Sequence, residues 1–164
     1  MQIIAPMTKK EVTDSLLDLL IMAYVYGVED TNKSLNKKSK VDEDKLNSSV
    51  YKKIEGKTWV ERLKEAETSD EIDRILVTEA HRCFCEGQYD NSEGATHKTW
   101  ITQRDDKVRD THWYLDGLTV KIDEYFYTLD GDSALMPYGF ERAENNIRCR
   151  CYLNYSRRGE ENEV

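Results

Sequence analysis

The chain has 164 residues and a formal net charge of −8. That is enough for one domain, burying roughly 70% of its unfolded surface, and the acidic excess disfavours broad binding to phosphate backbones. Ten tyrosines, three tryptophans and a 38% hydrophobic share exclude disorder through the middle and end.

Taken in chain order, residues 1–10 lack a basic stretch followed by an apolar run, so no signal peptide is expected. Thr8-Lys9-Lys10-Glu11 has the form of a capping box. Val12, Leu16, Leu17, Leu19, Leu20, Ala23 and Val25 follow at helical spacing, and Gly27 either stops this helix or bends it on the way to about Leu35. The stretch Leu16–Val28 contains Asp18 and is too short to span a bilayer. A reducing cytoplasm is the expected setting, where four cysteines are more often free thiols or metal ligands than disulfides.

The lysine-rich residues 36–43 read as an exposed connection, followed by a short helix over 42–53 with Leu46 and Val50 inward and Gly56 ending it. Thr58 and Glu61 form a second capping-box pattern opening a helix to about Glu67. Ser69 is the expected cap of a helix over 70–86, with Ile72, Ile75, Leu76, Ala80, Cys83 and Phe84 inward and Gly87 as its stop. Residues 88–96 carry loop chemistry.

From Lys98 the pattern changes. Residues 99–103 and 118–123 alternate as strands do, and Asp105 or Asp106 opens a helix to about Leu115, ended by Asp116-Gly117. Tyr125-Phe126-Tyr127 is an aromatic run expected to pack, 130–132 is a turn, and 140–146 is a short helix. Residues 148–155 read as a strand with Cys149, Cys151, Leu153 and Tyr155 on one face, before a charged tail over 156–164. Helices over about 8–90, packed on a small mixed or antiparallel sheet with short helices over about 98–155, make an α+β fold.

Two segments concentrate the chemistry. In the first, Val108, His112 and Leu115 fall on one helical face, which places an imidazole among apolar side chains. A satisfied histidine at the edge of the core is the commoner outcome; a ligand or proton carrier is the other. Arg109 follows Asp105 by four residues, so a helical ion pair is the default. In the second, Cys149 and Cys151 point the same way on a strand and can ligate one metal, with His112 as a third ligand. A fourth is not evident. Cys83 and Cys85 lie roughly 200° apart on a helix and do not reach one ion together, and Cys83 belongs to the apolar stripe. Arg148, Arg150, Arg157 and Arg158 form a local basic run, more often a solvated strand end than a DNA contact.

The stretch Trp100…Asp106-Lys-Val-Arg109-Asp-Thr-His112…Asp116-Gly117, then Asp123-Glu124-Tyr-Phe126, then Cys149-Arg150-Cys151, resembles in order and spacing the phage Mu F-like head morphogenesis, or minor head, family. The resemblance covers about 54–155, with 1–53 as a helical lead-in and 156–164 as a tail. A proline often precedes the family's C-R-C element closely; here Asn145-Asn-Ile-Arg148 does, and the nearest proline is Pro137. The resemblance implies a non-catalytic component of the virion head interior. It would act in head assembly, associate with portal and other head proteins, and be made in the bacterial host cytoplasm of a phage or prophage. Contact with packaged DNA would be indirect, and no membrane contact or cofactor is implied. The motif residues Trp100, Asp106, Arg109, His112, Asp116, Gly117, Asp123, Glu124, Cys149, Arg150 and Cys151 would then be fold determinants. Two other readings of the same residues stand beside this one. One is a small RNase or toxin-like enzyme using His112 with Arg109 and Arg150. The other is an interaction module stabilised by zinc on His112, Cys149 and Cys151.

Overall fold

The computed structural model describes residues 7–157. Its helix starts are set by side chain–backbone chemistry. Helix α1 spans Lys9–Ser34, and its cap Thr8 accepts the Glu11 N–H while the Glu11 carboxylate accepts the Thr8 N–H at 2.7 Å. Helix α2 is Glu43–Val50, capped by Asp42, and α3 is Trp59–Glu65, with the Thr58–Glu61 box as expected. Helix α4 is Ser69–Asp90. Its cap is Thr68, not Ser69, because only Thr68 stands three residues before Glu71 and completes a reciprocal box.

Helices α1 and α4 are longer than a glycine stop would allow. Gly27 lies inside α1 and Gly87 inside α4, and the two helices cross at these glycines. A Cβ at Gly27 would sit 2.0 Å from the Phe84 carbonyl oxygen, and one at Gly87 would sit 2.2 Å from that of Tyr24. Backbone meets backbone there, which no side chain permits. Lys9 Nζ donates to the Ala66 carbonyl, and Asn91 Nδ2 donates to that of Val28, so α1 and α4 run alongside in the same sense.

A first core fills the space among the four helices, built on Leu16, Leu20, Tyr24, Val50, Trp59, Leu63, Ile75 and Cys83. Within it lies a buried ion network. Arg82 Nη2 donates to Glu79 at 2.7 Å and Nη1 to Glu86 at 2.6 Å, with the Ser49 carbonyl as a further acceptor of Nη2. Burial pulls the Arg82 guanidinium down, but Glu86 and Glu79 outweigh it and hold the group above its ordinary value.

The rest of the chain builds a second core. Strands β1 (His97–Ile101), β2 (Thr119–Lys121) and β5 (Tyr152–Ser156) form an antiparallel sheet in the order β2-β1-β5, with Trp100 opposite Leu153. Strands β3 (Phe126–Tyr127) and β4 (Ser133–Ala134) make a separate hairpin around the expected turn, where Gly131 takes φ +81°. Short helices α5 (Asp110–Trp113) and α6 (Ala143–Asn146) complete an α+β arrangement. Leu35, Trp100, Leu115, Phe126, Phe140, Cys149, Cys151, Leu153 and Tyr155 pack this second core. No described helix is long and apolar enough to cross a membrane.

Several expectations change. The helix expected from Asp105 or Asp106 to Leu115 shrinks to Asp110–Trp113: Asp105 closes only a single turn, through the Lys107 and Val108 N–H groups, while its carboxylate is drawn to Arg150. The strand expected from Arg148 begins at Tyr152, since Arg148 turns to φ +54°. Of the aromatic run only Phe126 is buried, while Tyr125 and Tyr127 are exposed.

Candidate functional site

The site grows from β1. Trp100 points into the second core, and the turn after it brings the motif back across the same strand. Gly117 takes φ +78° and donates its N–H to the Trp100 carbonyl at 2.8 Å. Asp116 accepts the Thr102 N–H at 2.9 Å and Arg104 Nε at 2.8 Å; the Thr102 N–H, ahead of Arg104, holds its carboxyl below the usual range. The Asp-Gly pair is therefore a brace between α5 and β1.

That brace sets α5 so that His112 projects inward, with no exposed surface. The Trp100 and Phe140 rings lie 5.7 and 5.3 Å from its imidazole, centroid to centroid. Its Nδ1 faces two sulfurs, Cys149 Sγ at 3.8 Å and Cys151 Sγ at 3.7 Å. The three ligand atoms lie within 4.8 Å of one another, and all three residues are buried. Nε2 of His112 is buried without a hydrogen-bond partner. A void of about 10 Å³ touches His112 and Cys151 and is rimmed by Lys107, Arg109, Arg148 and Arg150.

The two thiols differ in proton affinity. A hydrogen bond from Cys151 and another from His112 hold Cys149 well below the ordinary thiol range despite its burial. The bond to Cys149 and burial push Cys151 up. One proton shared between two close sulfurs produces this division. A soft, buried, two-sulfur, one-nitrogen pocket suits a borderline-soft divalent metal.

The loop carrying the cysteines is held from every side. His81 Nε2 lies 2.8 Å from the Cys151 carbonyl, and the Cys85 thiol donates to the same oxygen at 3.5 Å. Gln103 Nε2 donates to the Arg150 carbonyl at 3.1 Å, and Tyr138 Oη donates to that of Cys149. Burial pushes His81 below its ordinary value. His81, Cys85 and Gln88 fall at i, i+4 and i+7 on α4, a spacing visible in the sequence as one helix face turned to the C-terminal half.

The remaining motif residues are placed as follows. Arg150 bonds Asp105 with both terminal nitrogens, at 2.7 Å through Nη1, and this drives the Asp105 carboxyl down to about 2. The expected Asp105–Arg109 pair is absent, because Arg150 reaches Asp105 across the turn and Arg109 instead donates to the Ile147 carbonyl. Asp123 and Glu124 are exposed, but both raise the affinity of Lys98 for its proton against the stronger opposing effect of burial, which leaves that ammonium at about 8. Lys98 Nζ donates to the Leu135 carbonyl at 2.8 Å and lies over the Phe126 ring. Asp106 is exposed and stands outside the cluster. The basic run is tied locally: Arg148 pairs with Asp73, Arg150 with Asp105, and Arg157 donates to the Gly94 carbonyl, while Arg158 lies outside the described residues.

Sequence reasoning missed a second polar node. Asp132 is buried and accepts the N–H groups of Ser133, Glu141 and Arg142 together with Asn145 Nδ2. Burial pushes its carboxyl up, and these four donors outweigh that and leave it low. A cleft of about 520 Å³ runs between α3, α4 and the 138–147 segment, lined by Arg62, Arg74, Thr78, Glu79 and Tyr138; none of the motif residues lines it.

Comparison with known proteins gives three findings. The family model described as Phage Mu protein F like protein matches residues 40–154. The Minor head protein GP7 of Bacillus phage SPP1 is 32% identical over 88 residues, which is 51% of this chain and 29% of that protein. The NAD(+)--arginine ADP-ribosyltransferase EFV of Enterococcus faecalis is 29% identical over 144 residues, which is 80% of this chain and again 29% of that protein. The chain thus spans under a third of each relative's length. No solved structure matches it.

Proposed function

The chain belongs to the Phage Mu protein F like family, and from that premise we propose that it is a minor head component of a phage or prophage. In this reading it is made in the host cytoplasm and built into the head interior. It acts in head assembly through contact with portal or other head proteins, and any contact with packaged DNA is indirect. One observation carries the proposal: His112, Arg109 and Arg150, the motif side chains an enzyme would need, are spent on holding the fold. His112 is wholly buried, Arg150 is tied to Asp105 and Arg109 to a backbone carbonyl.

A general acid–base pair has to reach a substrate proton within hydrogen-bond distance. The void that borders His112 measures about 10 Å³, about the room one water needs. Nor do the two relatives named above share an activity by name. What each shares with this chain is a stretch under a third of its own length.

The test is association. The chain, expressed with the portal protein of the same phage or prophage, is expected to co-purify with portal or procapsids and to appear in virion proteomes. Absence from portal, procapsid and virion fractions would refute the reading. His112→Ala separates the enzymatic alternative. A large fall in melting temperature with no turnover lost supports the structural role; loss of an RNase activity at unchanged melting temperature refutes it.

A further inference from the structure

We propose that His112, Cys149 and Cys151 form a tetrahedral metal site for a single zinc ion, completed by one water. The geometry carries this. With Zn–S bonds of about 2.3 Å and a Zn–N bond of about 2.0–2.1 Å, a tetrahedral centre sets its nitrogen–sulfur edges at about 3.6 Å. The two edges found here are 3.8 and 3.7 Å, both on the same ring nitrogen. Both nitrogen–sulfur edges therefore lie within a few tenths of an ångström of a zinc site, and the sulfur–sulfur edge lies within 4.8 Å, against about 3.8 Å at a tetrahedral centre.

Three further observations point the same way. First, the alternative use of the imidazole is poor. Sulfur is a weak hydrogen-bond partner, yet Nδ1 of this fully buried ring has only two sulfurs before it. A ring placed for hydrogen bonding alone would find an oxygen. Second, charge balances. Two thiolates and one divalent cation sum to zero, so the occupied site puts no net charge into the second core. Third, there is room for the fourth ligand. The void bordering His112 and Cys151 measures about 10 Å³, close to what one water needs.

The backbone around the site is already fixed as a metal site requires. Cys151 is held through its carbonyl by His81 and Cys85, Cys149 through its carbonyl by Tyr138, and α5 by the Asp116-Gly117 brace. Such outer contacts orient ligands before the ion arrives. Binding releases the thiol protons to solvent, and no electron is transferred.

The experiment uses the full chain, purified and reduced under inert gas. Elemental analysis is expected to find one zinc per chain. After chelation and removal of zinc, titration with cobalt(II) alone is expected to give sulfur-to-cobalt charge-transfer absorption and the strong visible bands of a tetrahedral ion, saturating at one equivalent. The zinc-free chain is first shown to keep its circular dichroism spectrum, so that an empty result cannot be blamed on unfolding. Cys149→Ser, Cys151→Ser and His112→Ala are each expected to weaken cobalt binding at least tenfold, while Cys83→Ser, in the other core, binds as the parent does. Any one of three results overturns the proposal: no cobalt bands in the folded, reduced parent; bands that persist when both Cys149 and Cys151 are serine; or a purified chain whose intact mass shows these two cysteines joined as a disulfide. Sulfur-to-cobalt charge transfer of the strength of three thiolates, falling to that of two in Cys85→Ser, would overturn the water as fourth ligand. Neither arm depends on portal association, so this proposal and the proposed function fail separately.

Discussion

Gly87→Ala tests the packing logic of the helical half most directly. The new Cβ would lie 2.2 Å from the Tyr24 carbonyl oxygen, whereas ordinary contact begins at 3.4 Å. The opposing atom is backbone on a long helix, so it has no rotamer to change, and α1 and α4 must part by about 1 Å. Gaps of that size forfeit a quarter to a half of each contact's dispersion energy along the seam. Overpacking of this kind costs about 3 kcal/mol, and alanine returns only about 1 kcal/mol through helix propensity. The net loss of about 2 kcal/mol corresponds to a fall in Tm of roughly 4–8 °C for a chain of this size. Gly56→Ala is the control. Nothing lies within 4 Å of its Cβ position, and only its φ of +79° opposes alanine, at about 1 kcal/mol. Gly27→Ala strikes the same seam, with 2.0 Å to the Phe84 carbonyl. One separation of the helices relieves both clashes, so the double variant should cost clearly less than the sum of the singles. The assay is thermal and urea unfolding followed by circular dichroism. A Gly87→Ala variant melting at or above the parent would refute the close crossing.

Glu79→Gln leaves Arg82 buried with part of its charge uncompensated, and urea unfolding is expected to show a loss of about 3 kcal/mol; an unchanged midpoint would contradict the network. Lys98 is held at about 8 by burial, below its ordinary value of 10.5. Between these two pH values the unfolded chain binds more protons than the folded one, so stability rises with pH there. Measured as parent minus Lys98→Met, that gain should appear between about pH 8 and 10.5, and a flat difference would count against a desolvated ammonium. Asp105 is depressed to about 2, chiefly by the hydrogen bond from Arg150. Its contribution is present above its ordinary value of 3.8 and lost as pH falls towards 2, so the stability gap between the parent and Asp105→Asn should close over that window in acid unfolding curves.

What the sequence made legible was what short-range chemistry decides. The boxes at Thr8–Glu11 and Thr58–Glu61 form as written because a hydroxyl and a carboxylate three residues apart need nothing else. Gly87 misled because a glycine inside a helical pattern looks like a stop, whereas at Gly27 the pattern allows either a stop or a run to about Leu35, and the run is the one found; only the partner helix shows why each glycine is there. The ion pair Asp105–Arg109 is the sensible local choice, but Arg150, 45 residues away, competes for the same carboxylate with two nitrogens and wins. The meeting of His112 with Cys149 and Cys151 was legible from residue type and order. Its support from α4 was not, since nothing in a single chain says which helix backs which loop.

The sheet itself is too small to hold this loop in place. Strand β5 has five residues and pairs on one side only, with β1. Its free edge is covered by one side chain of α4: Gln88 Nε2 donates to the Leu153 carbonyl at 2.8 Å, and its Oε1 accepts the Leu153 N–H at 3.4 Å. A side-chain amide thus stands in for a neighbouring strand, which closes an edge otherwise open to pairing with another chain. The same helix face carries His81 and Cys85 to the Cys151 carbonyl. Helix α4 therefore joins the two cores by hydrogen bonds, each contributing about 1 kcal/mol, and its adjoining face, at Phe84 and Gly87, is packed against α1. Loosening the α1–α4 seam at Gly87 should then loosen the cysteine loop as well. In the variant, amide exchange at Leu153 and thiol labelling at Cys149 and Cys151 should accelerate together. Acceleration confined to the helices would show that the two halves hold independently.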